Sequence, residues 1–145
     1  MLNHTLELPA SWATVRLQHG RVVAFGRVQE HLPHCIFEID TVREVPQRVE
    51  PDIFVITQVS RSTSTIAARQ GFVRASFDFD DGGPTQMFYK TVFTLRSARQ
   101  PGVRNLTCQS DQYAAGISIP RHLTVPEIRQ ALGGIFTLEL PGTLP

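Results

Sequence analysis

The chain has 145 residues, 41% of them apolar and 19% charged, with a formal net charge of +1, which fits a single folded domain over residues 1–145 with one core. No apolar run approaches the roughly 18 residues of a membrane helix, and no block of like charge marks a disordered tail. With 14 basic and 13 acidic residues interspersed, the electrostatic footprint of a nucleic-acid-binding protein is missing too.

Val, Ile and Thr supply 35 residues against 10 Ala, and with 10 Pro this favours pleated strands over helices. Apolar and polar residues then alternate at period two along most of the chain. Ala13, Val15 and Leu17 oppose Thr14, Arg16 and Gln18, and His19-Gly20 offers a two-residue turn into Arg21–Phe25, so a hairpin is predicted. His34 to Asp40 puts Cys35, Phe37 and Ile39 on one face and His34, Glu38 and Asp40 on the other. Ile53 to Val59 is apolar on both faces at its start, the pattern of a central strand covered on both sides or of a strand whose outer face meets a loop. Arg61–Thr65 reads as a loop or an edge.

Val73, Ala75, Phe77 and Phe79 line one face of the cleanest amphipathic strand, and Met87 to Ser97 is expected as its hairpin partner across Asp80–Pro84. Phe72 and Phe88 fall on outer faces and are expected to pack there. Val103 to Gln109 carries Cys108 and Leu106 on one inward face. Thr124 to Leu132 is the one convincing helix: Thr124 and Glu127 have capping-box spacing, Pro126 suits the first turn and Gly133 supplies a stop. Ile135 to Leu140 reads as a final strand. About eight or nine short strands without a fixed repeat predict an all-β domain, an antiparallel β-sandwich or flattened barrel with one short C-terminal helix. The immunoglobulin pattern is not met, since Trp12 precedes the first cysteine and Leu106 stands where the corner tyrosine would.

The two cysteines, Cys35 and Cys108, lack the spacing of a zinc site, and both fall on inward phases of separate strands. A disulfide is expected, either between facing layers or between neighbouring strands, and it would contribute on the order of 4 kcal/mol by restraining the unfolded chain. Two buried thiols in a cytoplasmic protein are the alternative. Met1–Pro9 has neither the basic head nor the apolar stretch of a secretory signal, which leaves a cytoplasmic protein or one whose targeting segment has been replaced by Met1.

Candidate metal ligands concentrate in Glu30-His31-Leu-Pro-His34-Cys35. His34 and Cys35 leave opposite faces of a strand and cannot share an ion, whereas His31 and His34 could meet across Pro33, with Glu30 or His19 as a third ligand for copper or zinc. Asp78-Phe-Asp-Asp-Gly-Gly83 has the clustered carboxylates of a calcium loop without its ligand spacing, and reads as a solvated turn. No nucleophile elbow, phosphate loop, zinc-protease or dinucleotide motif occurs. The expectation is a non-catalytic extracytoplasmic (periplasmic) binding or accessory domain of a bacterial envelope, needing no cofactor, with an unidentified protein or small molecule as partner. The alternatives are a periplasmic metal-binding protein using His31 and His34, and a small hydrolase whose site is assembled by loops. The scattered usage of 13 Arg to the single Lys90 suggests the bacterial source through base composition.

Overall fold

A computed structural model describes residues 1–65, 86–113 and 121–140. Within them the chain forms β1 (Leu6–Leu8), β2 (Thr14–Gln18), β3 (Arg21–Val23), β4 (His34–Ile39), β5 (Gln47–Val49), β6 (Val55–Thr65), β7 (Gln86–Arg96), β8 (Val103–Tyr113) and the helix α1 (Val125–Leu132). Six strands make one antiparallel sheet in the order β3-β2-β4-β8-β7-β6, and β1 and β5 pair as a separate two-stranded ribbon. The sheet does not close on itself, so the architecture is the open, layered alternative and not a barrel.

Alternation decides which face is covered. Val15 and Leu17 of β2, Cys35 and Phe37 of β4, and Leu106 and Cys108 of β8 are buried on one face in register. The second layer over them is mixed: Leu6, Leu8 and Val49 of the ribbon, Ile128, Ala131 and Leu132 of α1, and Phe136 and Leu138 beyond it join the same core. A helix of eight residues is too short to hold itself together in water, so this burial is what maintains it.

The helix ends follow the sequence signals. The Thr124 hydroxyl accepts from the Glu127 N–H (3.3 Å) while a Glu127 carboxylate oxygen accepts from the Thr124 N–H (2.8 Å), a complete capping box. At the other end Gly133 turns at φ +58°, and the Gly20 N–H donates to the otherwise unpaired Ala131 carbonyl (2.9 Å). His19 and Gly20 both have positive φ, 56° and 77°, the geometry that joins β2 to β3 with the right twist.

Three expectations are corrected. Val55–Thr65 is the edge strand of the sheet and not a doubly covered central one; Arg61–Thr65, read as a loop or an edge, is the edge, as a continuation of that strand. Its partner is β7, whose other edge is taken by β8; the stretch Val73–Phe79, expected as the partner of β7, lies outside the described residues, as do Phe72 and Asp78–Gly83. Ile135 to Leu140 is not a full strand: a single bridge joins Phe136 to Leu2, flanked by bonds between Asn3 and Ile135 and between Thr137 and Met1. His34, on the strand face opposite the core residues Cys35, Phe37 and Ile39, is nevertheless only 2% exposed.

Candidate functional site

Cys35 and Cys108 form a disulfide between directly opposed positions of the neighbouring strands β4 and β8, with Cα atoms 4.0 Å apart. It is therefore a cross-strand bond within one sheet and not a bridge between layers. Both residues are fully buried beneath the second layer, out of reach of a reductant in the folded state.

On the opposite face of the same two strands His34 is covered by the chain segment between β3 and β4. Its Nδ1–H donates to the Leu32 carbonyl (2.9 Å), leaving Nε2 to accept from the Gln109 amide (3.4 Å). Burial lowers the imidazole pKa below its ordinary value, only partly offset by the Leu32 bond and by Glu30, so the ring is neutral. Gln18, also buried, fastens the segment from below: its amide donates to the Gln29 carbonyl (2.8 Å) and accepts from the Gln29 N–H (3.0 Å). The Asp111 N–H bonds the Glu30 carbonyl (2.7 Å). His34 thus holds a surface strap in place, and both of its ring nitrogens are occupied by protein. His31 and Glu30 stand exposed on that strap and His19 at the β2–β3 turn. Among the described residues no three His, Cys, Asp or Glu side chains gather where an ion could be held.

An apolar cleft lies elsewhere among the described residues, between the β6–β7 end of the sheet and the segment after α1. Phe54 and Ile56 on the β6 side, Phe93 and Leu95 of β7, Leu132 of α1 and Phe136 and Leu138 enclose a cleft of about 260 Å³. Phe37, Phe54 and Phe136 pack against one another with ring centroids 5.4 to 6.3 Å apart, which fixes the wall without any polar atom. Among the described residues, polar groups enter from Thr137, Glu139 and Met1, whose N-terminal ammonium donates to the Thr137 carbonyl (2.7 Å). At the sheet edge the inner side chains of β6 have the sheet on one side and, among the described residues, Leu132 of α1 and the 136–139 segment enclosing the cleft with them.

No family model, curated protein or solved structure matches the chain. What the cleft does has to be read from its own chemistry. Such a surface desolvates hydrocarbon. The sequence held one trace of it: Ile53-Phe-Val-Ile56 is apolar at every position, and only some of these side chains are consumed by packing. Phe54 is buried, whereas Ile53 and Val55 remain 68% and 52% exposed.

Proposed function

We propose that this protein is a non-catalytic, extracytoplasmic binding domain that takes the hydrocarbon part of a small molecule into the cleft between β6, β7 and the segment after α1. The observation that carries the reading is the cleft itself, an aromatic and aliphatic concavity near the lower size limit of small-molecule sites, bordered by apolar side chains left in water. The compartment is supported by the buried Cys35–Cys108 disulfide, since such bonds persist where thiols are not kept reduced, the periplasm included.

The test is calorimetric titration with decanol. Hydrocarbon burial at about 0.8 kcal/mol per methylene, less the cost of association, leads to a Kd on the order of 0.1 mM. Ile56→Phe and Leu138→Phe, each of which places a ring in the cleft, should abolish binding while leaving the melting temperature equal or higher. Absence of decanol binding to the wild type, or unchanged binding to both filled variants, would overturn the proposal. For the compartment, alkylation of free thiols at the moment of cell lysis should label neither cysteine.

A further inference from the structure

We infer that the cleft continues into an adjoining groove that carries charged side chains, as one bipartite site, and that its ligand is a single-chain anionic amphiphile, a fatty carboxylate with its carboxylate at Arg96 and Arg99. The inference rests on the apolar-cleft reading above and adds the identity of the head group. Ile53 and Val55 line both concavities, the cleft on one side and on the other a groove that includes Asp52, Arg96, Ser97 and Arg99. They are also among the most exposed large apolar side chains described, at the place where a chain crossing from groove to cleft would cover them. Arg96 stands directly opposite Val55 in the β6–β7 register, so the two share the outer face of the sheet edge and both line the groove.

The charges at this mouth are asymmetric. Asp52 belongs to the groove too, but its carboxylate is already held by the Ser97 hydroxyl (2.7 Å) and the Ile53 N–H (2.7 Å), with the Gln100 amide at 3.3 Å, and these bonds keep it ionised and committed to the fold. Arg99 pairs with it at 3.7 Å through a side chain 72% exposed, an exposed ion pair of small energy. Arg96 is exposed and has no ion pair among the described residues. Three other arginines are engaged by the fold: Arg48 pairs with Glu7, Arg121 with Glu127, and Arg129 donates to the Leu138 carbonyl. Two under-used guanidinium forks beside an apolar cleft match a carboxylate joined to a hydrocarbon tail, because the planar fork binds both carboxylate oxygens at once.

The experiment compares decanoate with decanol on the full oxidised chain at neutral pH, both below their aggregation concentrations. Without a cationic partner the carboxylate loses more hydration than the alcohol and binds more weakly, so the order of the two affinities decides. Decanoate should bind about tenfold more tightly than decanol. The double variant Arg96→Gln with Arg99→Gln should remove that advantage and leave decanol affinity unchanged. Both side chains are exposed, so an unaltered melting temperature is expected of the variant, and the wild-type comparison stands without it. Decanoate binding no tighter than decanol, or an equal loss for both in the double variant, overturns the head-group assignment while the cleft reading survives. Binding of neither ligand overturns both.

Discussion

Gly20 and Gly133 meet backbone to backbone, so that the β2–β3 turn closes the C-terminal end of α1. A Cβ on Gly133 would collide with the Gly20 backbone, whereas one on Gly20 would lie 3.2 Å from the Gly133 Cα, tight but open to small adjustment. Both residues also have positive φ, which costs an L-residue about 1 kcal/mol or more. Gly133→Ala should therefore destabilise by about 3 kcal/mol and Gly20→Ala by about half as much, measured by denaturant unfolding. Equal, small losses would mean that the helix end is not seated on the turn.

Opening the Cys35–Cys108 bond frees a chain with a sequence separation of 73 residues in the unfolded state. Reduction, or the pair Cys35→Ala with Cys108→Ala, should lower unfolding free energy by about 4 kcal/mol. Because the bond is buried, reductant should act on the native protein no faster than the protein unfolds, which thiol release against unfolding rate will check.

Acid should weaken the fold in two separable windows. His34 has a folded-state pKa below the unfolded value of 6.5, so the unfolded chain binds a proton first. The full contribution is present above pH 6.5 and is lost as pH falls from there towards the folded pKa. Imidazole titration followed by NMR should place the His34 pKa below 6.5, and the protection of the Gln29 amide against hydrogen exchange should fall over the same range.

The lower window belongs to Glu127. The Arg121 guanidinium, bonded to both carboxylate oxygens at 2.7 and 2.9 Å, holds its pKa down at about 2 against an ordinary 4.5. Stability from this pair is complete above pH 4.5 and disappears as pH falls to 2. The side chains are 55% and 30% exposed, so solvent screening reduces the effect to about 1 kcal/mol. Arg121→Met should raise the Glu127 pKa towards 4.5 and flatten stability between pH 4.5 and 2; an unchanged slope would remove this pair from the acid response.

How much of this was legible in the sequence depends on whether the determinant is local. The β2–β3 turn, the capping box of Thr124 and Glu127 and the inward phase of Cys35 and Cys108 all follow from spacing of a few residues, and the structure bears them out. His34 escaped because alternation identifies opposite faces but not what covers each: the cover is a strap fastened by Gln18, fourteen to fifteen residues from the Leu32 and Pro33 carbonyls it also approaches. The position of β6 at the sheet edge was legible in polar Arg61–Thr65 but not at its start, because the apolar run Ile53–Ile56 looks the same whether its second face meets protein, a cleft or solvent. Strand order is set by long-range pairing, and the cleft depends on that order.

Methyl NMR during a decanol titration tests the central claim most directly. The account expects the methyl resonances of Ile56, Leu95, Leu106 and Leu138 to shift together and saturate with one Kd, while those of Leu6 and Leu8 on the far ribbon stay in place. Unmoved cleft methyls at saturating decanol, or shifts spread evenly through the core, would contradict it.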